Sequence, residues 1–174
     1  MGLGVFYAAG TGDSTTRIEG SADIDRTLHF TGSGIWMDTN ISRDETFNYR
    51  LSLASGSYGD RDAPYDSIVM IHDLGFSPAR NRRSRLWVGP EIMLNFIDDS
   101  STPESPRLFG FGMGLAIGGN VNLAKRLGFN LKAAYISQTL TGNMIIAGTR
   151  TDVTTKDGFI YTSLSLSLRF GERF

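Results

Sequence analysis

The chain has 174 residues, of which 40% are hydrophobic and 20% charged, with a formal net charge of −1. That is enough for one domain with its own core, and too apolar for a disordered chain. The charge balance gives no basic footprint for nucleic acid. The absence of cysteine excludes a disulfide scaffold, a thiolate metal site and cysteine catalysis, and two histidines exclude a His-rich metal site.

Glycine is abundant, 21 of 174 residues, or about 12% against a usual ~7%. No run of about 18 apolar residues marks a transmembrane helix. Met1-Gly2 runs straight into a strand-like segment, with no signal peptide ahead of it. The chain therefore reads as cytosolic, or as the mature form of an exported protein.

Alternation with period two predicts strands throughout. Leu3 to Gly12 is rich in Gly and aromatic residues. Arg26 to Asp38 carries Leu28, Phe30 and Trp36 in one phase. Next, Phe47, Tyr49, Leu51 and Leu53 alternate with Asn48, Arg50, Ser52 and Ala54. Ser67 to Phe76 is strand-like, but Ile, Val and Met on both faces leave its phase open. In the fifth candidate Leu86, Val88, Pro90, Ile92, Leu94 and Phe96 oppose Trp87, Gly89, Glu91, Met93 and Asn95. Leu108 to Val121 alternates large apolar residues with Gly110, Gly112, Gly114, Ala116 and Gly118. Phe129 to Leu140 sets Phe129, Leu131 and Tyr135 against Asn130, Lys132 and Ala134. The last, Ile160 to Phe170, puts Tyr161, Ser163, Ser165, Ser167 and Arg169 on its polar face.

The connections alternate in length. Residues 13–25, 58–66, 98–106 and 141–157 read as longer polar loops, while 39–45, 77–84 and 124–128 read as short turns. Eight long antiparallel strands with loops at one end and turns at the other are the pattern of a transmembrane β-barrel. The predicted fold is all-β, an eight-stranded antiparallel up-and-down barrel formed as a single domain by residues 1–174.

Alternation fits a soluble, lipocalin-like barrel equally well, with the apolar face inward. The polar face decides between them. It is built from Gly, Ala, Ser and Asn with isolated charges, which suits a cramped lumen better than a wet exterior. Asn48, Arg50, Glu91, Asn95, Asn130, Lys132 and Arg169 are the predicted lumen network. Unpaired, each buried charge would cost several kcal/mol, so charges of both signs should pair across the lumen.

Leu168, Phe170 and Phe174 close the chain with alternating apolar residues and a terminal Phe. This resembles the insertion signal of bacterial outer-membrane barrels. Gly4-Val5-Phe6-Tyr7 with Gly10-Thr11-Gly12, Arg43 to Arg50, Arg85-Leu86-Trp87-Val88-Gly89-Pro90 and Ser167-Leu168-Arg169-Phe170-Gly171 extend the likeness over nearly the whole chain. The chain resembles small outer-membrane barrels of the OmpA/OmpX type. The resemblance implies a Gram-negative outer-membrane location, both termini in the periplasm, and a monomer. The implied partners are outer-membrane lipids and lipopolysaccharide, with the barrel-assembly machinery during insertion. It implies no cofactor, and the peptidoglycan-binding domain of full OmpA proteins has no counterpart in these residues.

On that orientation the outer loops are acidic. Asp13, Glu19, Asp23, Asp25, Asp60, Asp62, Asp66, Asp98, Asp99, Glu104, Asp152 and Asp157 outnumber Arg17, Arg61, Arg150 and Lys156. The turns are basic, with Arg80, Arg82, Arg83, Arg85, Lys125 and Arg126. Acidic loops could hold divalent cations, but Asp60-Arg61-Asp62 and Asp98-Asp99 lack the spacing of an EF-hand loop.

A hydrolase would need Ser, His and an acid within reach. His29 with Thr31 or Ser33, in a phase compatible with the lumen, and His72 with Asp73 are the starting points. His29-Phe30-Thr31 departs from the His-x-Ser pair of lipid A deacylase barrels. Gly34-Ile35-Trp36 matches the short lipocalin element, but on the second strand rather than the first. Trp36 and Trp87 read as interfacial aromatics or lumen filler, and Gly110, Gly112 and Gly114 as lumen packing. Tyr7, Phe47, Tyr49, Phe76, Phe129, Phe170 and Phe174 form the expected aromatic girdle at the turn end. The expected function is a non-enzymatic structural or surface-interaction role. The alternatives are a narrow pore or small-molecule transporter, a lipid A-modifying enzyme, and a soluble ligand carrier.

Overall fold

The structure is a computed structural model that describes residues 1–18, 22–42, 44–81 and 83–170. Its elements are β1 (Gly2–Ile18), β2 (Ile24–Asn40), β3 (Phe47–Gly59), β4 (Pro64–Arg80), β5 (Ser84–Asp98), β6 (Arg107–Asn122), β7 (Leu127–Ile146) and β8 (Thr149–Arg169). Each strand pairs antiparallel with the next, and β8 returns to β1, so the sheet closes into an eight-stranded barrel. Closure leaves no exposed strand edge within the ring, and main-chain groups there can bond to a neighbour, apart from the interruption of the β4–β5 ladder at Pro90, which has no N–H.

All eight predicted strands are present, but two predicted loops are not loops. Residues 13–18 and 24–25 continue β1 and β2, with Thr15 opposite Asp25, while 141–146 and 149–157 continue β7 and β8, with Asn143 opposite Asp152. These arms are polar or mixed on both faces because they project beyond the apolar belt, so they carry no alternation. Their Thr, Ile and Val content still favours extended backbone. β3 and β4 turn back sooner, pairing Gly59 with Pro64. The rim is therefore uneven, with β7 and β8 the tallest wall, and the long–short asymmetry lies in strand overhang rather than in coil. At the other end, β4 runs through the predicted 77–84 turn to Arg80, with a register shift between Phe76 and Ala79. Pro78 sits in that bulge, where a missing N–H breaks no ladder bond.

The apolar face points outward. Val5, Ile35, Leu115, Ile117, Ile160 and Leu164 are all more than half exposed. The phase of β4 is now fixed: Ser67, Val69, Ile71 and Asp73 are buried, and Ile68, Leu74 and Phe76 face out. β4 was ambiguous because the lumen itself is layered. Near the chain termini it is polar and charged. Toward the opposite rim it is filled by Leu28, Phe30, Tyr58, Ile136, Leu140 and Phe159. Phe30 packs edge-on against Tyr161 with ring centroids 5.9 Å apart, and Tyr58 against Phe159 at 6.1 Å. A lumen of this width is filled by side chains, and where no water passes, apolar filling serves as well as polar.

The β2–β3 turn is held by its own side chains. Thr46 donates its hydroxyl and its N–H to the Asp44 carboxylate, and the Phe47 N–H donates to Ser42 Oγ at 2.9 Å. Hydrogen bonds from Ser42 and Thr46 lower the Asp44 carboxyl from its ordinary 3.8 to about 2. The sign follows from linkage: a depressed carboxyl stabilises the fold above its unfolded value, and that stabilisation is lost as pH falls through the folded value. The turn should therefore lose its support between about pH 4 and pH 2. A carbon-13 carboxylate titration should show this late protonation at Asp44, and Asp44→Asn should remove that step from the acid-unfolding curve.

Candidate functional site

The centre of the lumen is an ionic cluster tied across the barrel. Lys132 on β7 places its ammonium 3.2 Å from Asp73 on β4 and 2.8 Å from Glu91 on β5. Tyr161 on β8 donates its hydroxyl to the other oxygen of Glu91, and the Lys132 nitrogen lies 5.0 Å from the centre of the Tyr161 ring. Toward the termini, Arg50 lies 3.6 Å from Asp38. Its guanidinium stacks over Trp36 at 4.1 Å and faces Trp87 at 5.7 Å. All of these side chains are buried, so each charge depends on its partner.

Of the seven predicted network residues, the structure brings Arg50, Glu91 and Lys132 together in this region. Asn130 is separate, donating to Ser167 at 3.3 Å. Asn48 and Asn95 are buried outside the ion pairs. Arg169 is half-buried at the mouth near the termini, away from the cluster. Asp38, Asp73 and Tyr161 complete the network and were not predicted as members. Asp73 had a signal, a lone acid in an otherwise apolar strand, but its face could not be read until the phase was known.

A second polar set lies higher in the lumen. Tyr58 donates to Asp157, and Gln138 donates to Tyr58 and, at 3.2 Å, to Asp157. Asp157 is thus a buried lumen residue and not an outer-loop acid, because β8 extends through that position. Asp99 is also buried: it accepts from the N–H and hydroxyl of Ser101 and from the Asp66 N–H, pinning the 99–106 loop. Asp13, Asp23, Asp25, Asp62, Asp66, Asp98, Glu104 and Asp152 are exposed as expected. Glu19, Arg43, Arg82, Gly171 and Phe174 lie outside the described residues; of the three C-terminal residues expected to form an insertion signal, Leu168 and Phe170 are described, and both are exposed.

The catalytic starting points do not assemble. His29 lies in the outward phase of β2 with Thr31 and Ser33, and not toward the lumen. His72 and Asp73 sit on opposite faces of β4. His72 pairs with the Tyr49 hydroxyl at 2.7 Å on the outer side, while Asp73 bonds Lys132 inside. Among the described residues, no group of three or more His, Asp or Glu side chains is placed to hold a metal ion.

Trp36 and Trp87 are lumen filler, 3% and 2% exposed. Each faces a glycine. A Cβ on Gly118 would lie 2.5 Å from the Trp87 indole, and one on Gly4 2.6 Å from that of Trp36. Gly118→Val should therefore cost about 1–3 kcal/mol through overpacking. A fall in the temperature of the gel-mobility shift would show it, and Trp87→Leu in the same chain should restore part of the loss. Gly110 and Gly112 leave similar space for Leu140 and Gln138.

On the outer face near the turn end, Phe47 and Phe76 pack at 5.5 Å with Tyr49 two residues along β3, and Phe129 and Phe170 lie at the same end on the opposite side of the ring, whereas Tyr7 sits mid-strand opposite Ser33 and Leu164 and not in the girdle. Phe96 and Phe109 form a pair at 5.0 Å toward the opposite rim, which the sequence reading missed.

Each mouth of the barrel holds a cavity. The one at the uneven rim, about 340 Å³, is mainly apolar, with Ile18, Ile97, Leu108, Leu140 and Met144 beside Tyr58 and Arg26. The one at the terminus end, about 770 Å³, is lined by Arg80, Arg83, Arg85, Lys125 and Arg169, with Glu45 the carboxylate among its lining residues.

No family model matches this chain, and no curated protein matches it either. Solved structures do. The outer membrane protein OprG from Pseudomonas aeruginosa is similar at 14% identity, over 98% of this chain and 96% of that one, with a TM-score of 0.61. The outer membrane protease OmpT from Escherichia coli is similar at 7% identity, over 97% of each chain, with a TM-score of 0.51. At such identities the likeness is one of fold, and the fold shared is that of outer-membrane β-barrels.

Proposed function

We propose that this chain is an integral protein of a bacterial outer membrane, with a non-enzymatic structural or surface-interaction role and a sealed lumen. The observation that carries the reading is the inversion of the barrel: aliphatic and aromatic residues outside, and Lys132, Asp73, Glu91 and Arg50 buried inside. A bilayer requires an apolar exterior and a fully bonded backbone, and a closed barrel provides both.

In that setting the termini lie in the periplasm and the taller rim faces out. The belt meets outer-membrane lipids, and the acidic rim meets lipopolysaccharide, ions or neighbouring molecules. The barrel-assembly machinery inserts the chain, which works as a monomer without cofactor or nucleic acid. The structural relative named as a protease acts as one by its own residues. Here, both histidines on the outer face argue against a hydrolytic lumen.

A second reading, a narrow pore, draws on the two cavities that enter the lumen from opposite ends. Planar-bilayer recording separates the two. The sealed barrel should refold in detergent with a heat-dependent gel shift and give no unitary conductance steps. Steps that change in Lys132→Met would overturn the sealed reading, and a chain that folds in plain buffer with no shift would overturn the membrane reading.

A further inference from the structure

We propose that the cavity at the terminus end of the barrel is a binding site for a phosphate group. This goes beyond the structural role, which needs no ligand at that mouth. The site is assembled from three connections and the strand ends beside them. Arg80 comes from the end of β4, Arg83 from the β4–β5 turn, Arg85 from the start of β5, and Lys125 from the β6–β7 turn. Among the described residues, Glu45 is the acid in the lining, and it pairs with Arg80 at 3.8 Å. Even with that pair formed, Arg83, Arg85 and Lys125 keep the cup cationic.

Two buried donors in the lining are oriented by their other contacts. Asn120 is 3% exposed, and its Oδ1 accepts the Trp87 indole N–H at 3.3 Å. Indole only donates, so this bond fixes which end of the Asn120 amide is oxygen. The remaining Nδ2 is buried with no acceptor among the described residues. Arg85 donates through Nη1 to Asn40 at 3.0 Å, which holds the guanidinium in place, and its buried Nε also has no acceptor among the described residues. A buried donor left unmatched costs free energy, and an anion with several oxygens can satisfy both donors at once.

The choice among anions follows from charge and shape. A phosphate monoester carries about −1.5 to −2 at neutral pH and offers three acceptor oxygens, where a carboxylate carries one charge and two oxygens. Several cations around donor-only groups match the phosphate better. The volume of about 770 Å³ is that of a small-molecule site, so the phosphate can enter with the group it esterifies. The source is either a lipid headgroup folded into the mouth or a soluble phosphate ester.

The test uses the refolded full chain in neutral detergent and calorimetric titration with inorganic phosphate, glycerol 3-phosphate and, as control, acetate. Saturable binding of both phosphates at about 1 mM or tighter is expected, with little response to acetate. Arg85→Gln should weaken binding at least about tenfold. Arg83→Gln with Lys125→Gln, both at exposed positions, should do the same while the heat-dependent gel shift is retained. Acetate binding as well as phosphate, absence of saturation up to roughly 10 mM, or unchanged affinity in both variants would overturn the proposal. Repeating the titration with phosphatidylglycerol in the micelles identifies the source. Competition points to a headgroup, and undiminished binding points to a soluble ester. A chain that shows no gel shift at all fails as a membrane barrel, which is a different outcome from a folded barrel that ignores phosphate.

Discussion

Lys132→Met should lower the stability of the barrel by about 3–5 kcal/mol, because it leaves two buried carboxylates facing each other without their cation. Asp73 and Glu91 sit on adjacent strands, directly opposite in register, and the Lys132 ammonium lies within 3.2 Å of both. The loss belongs to the orphaned acids more than to the missing lysine. Replacing all three by neutral residues of similar size, Lys132→Met with Asp73→Asn and Glu91→Gln, should recover most of it. Urea unfolding of the refolded protein, followed by the mobility shift on unboiled gels, measures both variants. A triple variant as unstable as the single one would mean that the cluster holds the barrel through its attraction rather than through mutual neutralisation.

Leu115→Arg should cost about 2–4 kcal/mol, the depth-dependent penalty for a cation at the middle of a lipid-facing strand. Leu115 is 66% exposed and sits mid-strand on β6, opposite Pro90 and Tyr135. On a barrel surrounded by water the same change would be close to neutral, since a surface site carries no packing penalty. Leu123→Arg provides the control. Leu123 is 60% exposed in the β6–β7 turn beyond the belt, where the penalty should fall to about 0–1 kcal/mol. Equal small effects at both positions would sink the lipid-facing assignment. Unfolding in lipid vesicles, with both variants side by side, gives the comparison.

The fold was legible because alternation survives wherever one face is lipid-like and the other small or polar. β5, β6 and β8 show this cleanly, and their inward and outward residues are the predicted ones. Legibility failed in two places for physical reasons. Past the apolar belt, the outer faces of β1, β2, β7 and β8 are polar, and inward positions such as Thr155 and Asp157 are polar as well, so segments such as 141–157 look like loops although their backbone is paired. Within the lumen, the half near the uneven rim is filled by Phe30, Val69, Ile71 and Ile136, so an apolar residue there no longer signals an outward face. That second effect hid the phase of β4 and, with it, Asp73.

The site was half legible. Isolated charges on the small-residue faces, Arg50, Glu91 and Lys132, announced a buried network, but not all of its partners. Asp38 meets Arg50 as its direct register partner across β2 and β3, whereas Asp73 meets Lys132 only because β4 and β7 bring their side chains to one level across the lumen. The basic turns were visible as charge. That they converge on one cup, with Asn120 and Arg85 oriented in its lining, needed coordinates.

The order in which the ion cluster is completed bears on how the ring can close. Asp73, Glu91 and Lys132 belong to β4, β5 and β7, all made before β8. Their charges can therefore cancel while the sheet is still open. The seam between the two terminal strands, β8 against β1, sets Ser163 opposite Ala8, Ser165 opposite Phe6 and Ser167 opposite Gly4 on its lumen side. What β8 adds to the central cluster is the neutral hydroxyl of Tyr161, while the carboxylate it carries into the lumen, Asp157, meets Tyr58 and Gln138 nearer the uneven rim. A sheet still lacking β8 would already have its central cluster neutralised, and would wait for the Tyr161 hydroxyl, the Asp157 contacts and the closing strand pair.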